Sequence, residues 1–448
     1  YPVEKQTDQH MGAEKQGFFE KRLLSDLSGK RSLSTPPLGL LRIATATPES
    51  AGDRTVDVRI YDEAVEPLDT ARWDGNLKPD LVGFSCTTAT VERTRSLVRQ
   101  ATVRNIPVVV GGPHATLKPD ELLEFGATVV KGGGEAVWSK IVQDAADGRL
   151  IKQIYENGSQ DHTKGVTKPP RIFFDPHDYF SINVLSAGEG CSYSCPFCST
   201  RLVKGKYKGR NLEEVRTEID QFNPNDGTVI ITDDNFFMHS HIREIIEHLG
   251  TRGHTWFATV SSKIASDNSD VIKLAGQNGC RALYLGIDRL EGLPKNNGVD
   301  YEEIINKIRV NGIIPSVGLV LGCGNPTKTE LELEAEQIRD FLMRNRIPVI
   351  HVGNSIPYPG TDEYFLKKGR ITKSTSRFDA QGPVVYEPKH MSEAEFNSVY
   401  FQLCEDLFSV PNILRRISTV GSLRGRMEFF FYNLKRWKHI KNGFPELQ

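Results

Sequence analysis

Short apolar runs alternate with amphipathic stretches along most of this 448-residue chain, and the rhythm changes at identifiable places. Residues 1–35 are polar and charged with few periodic apolar positions, and they predict a strand remnant followed by a long loop or helix. Between 36 and 150, Val56–Tyr61, Leu81–Ser85, Val108–Gly111 and Thr128–Val130 read as strands, and Val91–Arg104 reads as a helix. Strand–helix alternation predicts a parallel, doubly wound sheet, so residues 1–150 form a first α/β domain. Residues 151–180 are a connector broken by Pro169, Pro170 and Pro176. The rhythm resumes over 181–372 with six predicted strands: Ile182–Ala187, Thr228–Thr232, Trp256–Val260, Leu283–Ile287, Ile314–Leu321 and Val349–Val352. Amphipathic helices such as Asn211–Phe222 and Tyr301–Val310 separate them. Residues 373–448 lose strand character and predict a small helical region. There Ser392 and Glu395 read as a capping box, and Phe396, Tyr400, Leu403 and Leu407 recur at helical spacing.

Composition narrows the function classes. A formal net charge of −1, with 25% charged and 38% apolar residues, is that of an ordinary globular protein. It excludes recruitment of a nucleic-acid polyanion by net charge. No apolar run reaches the roughly 18 residues of a membrane span, and the N-terminal stretch carries no secretory hydrophobic region. The expected partners are therefore neither nucleic acid nor membrane. The run Met427–Tyr432, with Lys435, Arg436 and Lys438, is basic and aromatic, and we read it as a packed helix rather than a nucleic-acid contact.

The chemistry concentrates in one place. Three of the seven cysteines, Cys191, Cys195 and Cys198, fall within Gly188-Glu-Gly-Cys-Ser-Tyr-Ser-Cys-Pro-Phe-Cys-Ser-Thr200. Three thiolates on one tight loop suit three irons of a [4Fe–4S] cluster, which leaves the fourth iron open. A structural zinc site wants four ligands, and His177 and Cys280 are the nearest further candidates in sequence. A disulfide framework would spread cysteines in even numbers along a short secreted chain. Cys86, Cys280, Cys323 and Cys404 read as buried small hydrophobes. Free thiols beside an open cluster point to a reducing, cytoplasmic setting.

The spacing C-x3-C-x2-C, with Phe197 before the last cysteine, resembles the signature of radical S-adenosylmethionine (SAM) enzymes. The resemblance implies a partial (β/α)6 barrel over 181–372, with active residues at the carboxyl ends of its strands; the C-terminal aromatic stripe reads as a helix packed across the barrel mouth. It implies that SAM chelates the open iron and that reduction yields a 5'-deoxyadenosyl radical, which takes hydrogen from a small-molecule substrate. A reductase or a flavodoxin- or ferredoxin-type protein would supply the electron. In residues 36–150, the pieces Pro36-Pro-Leu-Gly-Leu40, Asp80-Leu-Val-Gly-Phe-Ser85, Gly111-Gly-Pro-His-Ala-Thr116 and Lys131-Gly-Gly-Gly-Glu135 resemble the Rossmann-like cobalamin-binding domain that precedes many radical SAM cores. This makes Ser85, Thr87, Thr88, Gly111, Gly112, His114, Gly134 and Glu135 candidate cofactor contacts. His114 is read as structural rather than as a cobalt ligand. Gly133 stands where the family more often has an acidic residue. Asp8-Gln-His10-Met-Gly12 is one residue short of a D-x-H-x-x-G cobalt-binding run and reads as an exposed loop.

Around the iron, Asp233-Asp-Asn-Phe-Phe237 resembles a D-D-x-x-F element beside the methionine moiety of SAM. Asp233 and Asp234 become candidate catalytic carboxylates and Asn235 a cofactor contact, although the same residues also suit a helix N-cap. Gly286, Asp288 and Arg289 in Leu285-Gly-Ile-Asp-Arg289 match the end of the fourth strand, where the family more often has Gly-Ile-Glu-Ser. The Arg289 guanidinium can pair a SAM carboxylate there or lie on the surface. Gly318 would let adenine approach the backbone, and the segment Ser355-Ile-Pro-Tyr-Pro-Gly-Thr361 would line the substrate side, with Pro357 a candidate cofactor contact and Tyr358 a candidate catalytic residue. Two outcomes follow from the resemblance. The first is methyl transfer from methylcobalamin. The second is radical dehydration of a diol, as in the radical SAM dehydratases of aminoglycoside biosynthesis. The compact C-terminal region, the lack of a clear cobalt-binding histidine and the altered Gly132–Glu135 loop lean toward dehydration in an antibiotic-type pathway. A non-enzymatic iron–sulfur regulator is the rival from another class.

Overall fold

The computed structural model describes residues 35–75, 78–150, 153–156, 172–291, 293 and 297–447. The His10 segment and Pro169 and Pro170 of the connector lie outside the described residues. The first unit is a parallel sheet of β1 (Val82–Ser85), β2 (Val108–Gly111), β3 (Thr128–Lys131) and β4 (Ile154–Glu156), paired in that order. Strand alternation sends successive side chains to opposite faces. Val108, Val110 and Val129 pack with Val91, Val98 and Ala101 of one flanking helix. Val109 and Val130 pack with Ile141 and Val137 of another. Both faces are therefore covered, as a buried parallel sheet requires.

The predicted strand Val56–Tyr61 is not part of a ladder. Its side chains alternate between half-buried and exposed, but the segment runs as extended coil after the short hairpin Ser50–Ala51/Arg54–Thr55. Its covered side has another cause. Ile60 packs on Leu41, Phe174, Tyr179 and Ile182, a cluster at the seam between the two units.

The second unit is an open parallel barrel of six strands: β5 (Val184–Leu185), β6 (Val229–Ile231), β7 (Trp256–Ser261), β8 (Cys280–Asp288), β9 (Ile314–Leu321) and β10 (Val349–Asn354). They pair in sequential order, so β5 and β10 each keep one free edge in this sheet. All six predicted strands are present. On β8, Leu283, Leu285 and Ile287 join the core beneath the helices, which turns Tyr284, Gly286 and Asp288 toward the barrel lumen.

A free strand edge needs partners for its backbone groups, and the C-terminal region supplies them for β10. Asn354 N donates to Ala380 O (2.6 Å), and the Tyr400 hydroxyl donates to Val352 O (3.0 Å). Asn433 Nδ2 donates to Pro348 O (3.0 Å), and buried Arg416 donates to Ile347 O (2.9 Å). The last helix, Leu423–Gly443, thus runs along this edge. Its Phe429–Tyr432 run is half-buried rather than core; Trp437 and Ile440 make the core contacts instead. Among the described residues, no helix is long and apolar enough to cross a membrane. We expect Tyr400→Phe to orphan the Val352 carbonyl and cost about 1–3 kcal/mol in urea unfolding, with no change of fold by circular dichroism.

Candidate active site

The cysteine loop is closed at its neck and supported from beneath. Gly188–Glu189 pairs antiparallel with Lys208–Gly209, so the intervening residues leave and return at one point. Gly190 sits at φ +84°, and a Cβ there would lie 2.7 Å from the carbonyl oxygens of Gly205 and Lys206; only glycine fits. Cys191 N donates to Gly205 O (3.2 Å) and Cys198 N to Cys195 O (3.1 Å). Arg201 ties the outer turn through Ser192 O (3.2 Å) and Ser194 Oγ (2.5 Å). Cys191 and Cys195 are half-buried, Cys198 is exposed, and all three thiols are free of disulfides. Phe197 lies half-buried between the last two.

The donor set fits a cluster better than a single ion. Among the described residues no three His, Cys, Asp or Glu side chains converge on one metal position. A cube needs no such convergence, because each thiolate binds its own iron. The sequence candidates for a fourth zinc ligand are elsewhere: Cys280 is buried at the start of β8, and His177 is exposed.

Asp233 and Asp234 serve this loop, which corrects their reading as catalytic carboxylates. Asp233 is 2% exposed; it accepts from Ala187 N (2.8 Å) and from the Tyr207 hydroxyl (3.1 Å), one on each side of the loop. Burial pushes its carboxyl up to about 7, against the lowering effect of those two bonds. Asp234 accepts from Gly190 N (3.2 Å), Lys204 Nζ (3.0 Å) and Thr200 Oγ1 (3.4 Å). Both carboxylates are spent on positioning. Asn235 is likewise committed, both amide atoms meeting Ser261 and so joining the ends of β6 and β7.

The barrel register sets Ser261, Gly286, Gly318 and His351 in one row across β7 to β10. Gly286 is half-exposed. Gly318 is not open to an adenine as expected, because the Tyr284 phenol occupies the space a Cβ would take. Asp288 adopts φ +63° beside a register shift, and Arg289 N donates back to Ile287 O (2.8 Å). Asp is among the non-glycine residues that take this left-handed conformation most readily. Arg289 itself pairs with Glu334 (3.3 Å), whose other oxygen accepts from Gly322 N (3.0 Å). One edge of its guanidinium is thereby held by its own chain. Pro357 is buried, while Tyr358 is half-buried edge-on to Phe378 (6.3 Å); burial, then Asp379 and Cys198, raises its phenol pKa.

Sequence reasoning missed a buried ion pair behind this wall. Lys367 Nζ lies 2.5 Å from Glu363, donates to the Tyr386 hydroxyl (2.9 Å) and is fully buried. Glu363 accepts from Gly324 N (2.7 Å) and Ser355 Oγ (3.0 Å), and its own N–H donates to Pro196 O (3.0 Å) in the cysteine loop. The only sequence signal was a Glu and a Lys four apart after Thr361, which equally describes an exposed helix.

In the first domain, the three predicted loops meet at the carboxyl edge of the sheet, where open α/β sheets bind ligands. Cys86 N donates to Gly111 O (2.8 Å), His114 N to Cys86 O (2.9 Å) and Gly132 N to Thr116 Oγ1 (3.0 Å). Ser85 and Thr87 are exposed, and Gly111 and Gly132–Glu135 are half-exposed, leaving a backbone-lined cradle. Gly112 (φ +99°) packs against the Cys86 backbone. His114 is 1% exposed; its Nδ1 is 3.2 Å from buried Thr88 Oγ1 and its Nε2 3.5 Å from Glu121. Its ring is enclosed within the first domain.

Arg42 links the two halves of the site. Gly134 packs against Ile43 in the helix Leu38–Ala46, and the adjacent Arg42 meets Glu135 of the cradle (3.9 Å) and Glu189 of the cysteine-loop neck. Burial works against the charge on Arg42, and the two carboxylates outweigh it.

Comparison with known proteins agrees with this layout. The B12 binding domain family matches residues 25–142, and the radical SAM superfamily matches residues 185–338. This is a radical SAM enzyme with a B12 binding domain. Its cofactors are a [4Fe–4S] cluster, SAM and cobalamin. The chain is 24% identical over 399 residues to a bacteriochlorophyllide d C-12(1)-methyltransferase of Chlorobaculum tepidum, covering 85% of this chain and 84% of that one. It is 25% identical over 428 residues to an uncharacterised methyltransferase of Pyrococcus horikoshii, covering 86% and 91%. In fold it resembles the cobalamin-dependent SAM radical enzyme OxsB, with a TM-score of 0.63, 12% identity and coverage of 91% and 70%. It also resembles the radical SAM methyltransferase TsrM of Kitasatospora setae, with a TM-score of 0.55, 18% identity and coverage of 82% and 80%.

The upward shift at Asp233 means that folding takes up a proton there between pH 3.8 and about 7. Its contribution to stability is complete below that window and is lost as pH rises through it. Asp233→Asn keeps an acceptor for Ala187 N and is expected to retain iron while losing that pH slope in denaturant titrations. Asp233→Ala is expected to cost about 1–3 kcal/mol and to lower iron content.

Proposed function

We propose that this protein is a cobalamin-dependent radical SAM methyltransferase acting on a small molecule, with electrons from a flavodoxin- or ferredoxin-type donor. The observation that carries the reading is the run of similarity through both domains to a curated methyltransferase, over more than four fifths of each chain. It displaces the expected lean toward diol dehydration. Nor do the features behind that lean hold up physically. The Gly132–Glu135 loop keeps its cradle shape with Gly133 in place, since Gly132 takes φ +81° and Glu135 still opens the helix Glu135–Ala146.

When bound, the cofactors supply a radical to activate the substrate C–H bond and a methyl group to quench the carbon radical. The chain's own residues set the geometry. Asp233, Asp234 and Glu363 hold the cysteine loop, the glycine cradle presents backbone to a corrin, and Arg42 fixes one against the other. Orientation of this kind is what the protein contributes to cofactor chemistry.

The test is anaerobic reconstitution with iron, sulfide and cobalamin, followed by the ultraviolet–visible spectrum and assay for 5'-deoxyadenosine. Stoichiometric cobalamin retention, with reductant-dependent 5'-deoxyadenosine formation, is expected. Cys191→Ala, Cys195→Ala and Cys198→Ala should each abolish 5'-deoxyadenosine formation while keeping cobalamin. Full cluster occupancy and turnover without retained cobalamin would overturn methyl transfer.

A further inference from the structure

The barrel lumen contains a second polar cluster, away from the cysteine loop and contributed partly by the last helix. Tyr284 on β8 and His351 on β10 both point inward, and their rings meet edge to face at 5.2 Å. Beside them the helix Leu423–Gly443 is anchored at the start of β10 by the bond from Asn433 to Pro348 O. A helix rises about 1.5 Å per residue, so Arg436 lies about 4.5 Å further along, level with the first residues of β10. Its positive charge acts on both lumen rings.

Arg436 is only partly used by the protein. Nη1 donates to the Tyr432 hydroxyl (3.3 Å), one turn earlier on the same helix. Nε is buried without a hydrogen-bond partner, and among the described residues Arg436 forms no ion pair. The Nε–Nη2 edge of a guanidinium is one that receives a carboxylate or phosphate in bidentate fashion. A buried donor left unmatched is destabilising, so the edge has room for an acceptor's charge. Nearby groups do not supply it. Burial, followed by the charge of Arg436, lowers the His351 pKa to about 3, so its ring is neutral and can accept or donate but brings no charge. Asp288 acts on Tyr284 from the strand end without pairing with Arg436.

We propose that Arg436, with Tyr432, Tyr284 and His351, forms a substrate subsite that binds an anionic group, a carboxylate or phosphate, inside the barrel. The name substrate rests on the methyl-transfer reading; the binding of an anion does not. The helix that covers the β10 edge would then also set specificity, by carrying the guanidinium into the lumen.

Calorimetric titration of the cofactor-loaded protein tests this with three probes of one shape: phenylacetate, phenyl phosphate and neutral phenylacetamide. At least one anion is expected to bind tenfold or more tightly than the amide, and comparison of the two anions identifies the preferred group. Arg436→Met should abolish that preference, and Arg436→Lys should leave part of it, because the charge remains but the fork is lost. Thermal melts check that both variants fold; should the Met variant fail to fold, the Lys variant decides. Equal binding of anion and amide, no binding of either anion, or an unchanged preference in a folded Arg436→Lys protein would overturn the proposal. Anion binding without any cobalamin retention would keep the subsite and reject methyl transfer instead.

Discussion

A buried carboxylate beneath the cysteine loop sets the geometry of this molecule's site. Asp233 accepts from Ala187 N just before the loop and from Tyr207 just before its return, so one side chain holds both ends of the segment that carries Cys191, Cys195 and Cys198. Its cost is visible in the raised pKa, since burial disfavours the charged form. Glu363 fixes the same loop from the opposite side through Pro196. Loops that carry ligands are held to useful precision by such supporting bonds; here one support follows the end of β6 and the other lies in the helix Asp362–Lys367.

The open barrel creates a second constraint. Six sequentially paired strands leave β10 with unpaired backbone groups, and the C-terminal region meets them from Ala380, Tyr400, Arg416 and Asn433. Arg416 is buried without a carboxylate partner and satisfies four oxygens instead, with its pKa lowered to about 10 by burial. The same helix that closes this edge brings Arg436 to the lumen. Stability of the edge and recognition of substrate are in this account two uses of one element.

Much of this was legible in the chain because it depends on local periodicity. The six barrel strands and three strands of the first sheet alternate or run apolar over lengths that only strands explain, and the loops after them carry the glycines that close turns require. Val56–Tyr61 shows where periodicity misleads, since its alternation records Ile60 packing at the domain seam rather than pairing. Pairings between distant residues were not legible. Arg42 meets Glu189 across 147 residues, Arg289 is taken by Glu334, and Tyr284 fills the space above Gly318. Each is decided by which elements the fold brings together. Asp233 was noticed for the right reason, a carboxylate at a strand end, but burial turned it from a reacting group into a support.

The central claim is that the three-thiolate loop is formed by the polypeptide itself, before any cluster enters. Hydrogen exchange on cluster-free protein tests this most directly. The amides of Ala187, Gly190 and Cys191, which donate to Asp233, Asp234 and Gly205, should be protected to nearly the same degree as in the reconstituted protein. Exchange of these three amides at the rate of an unfolded chain, with protection appearing only after cluster insertion, would contradict the account.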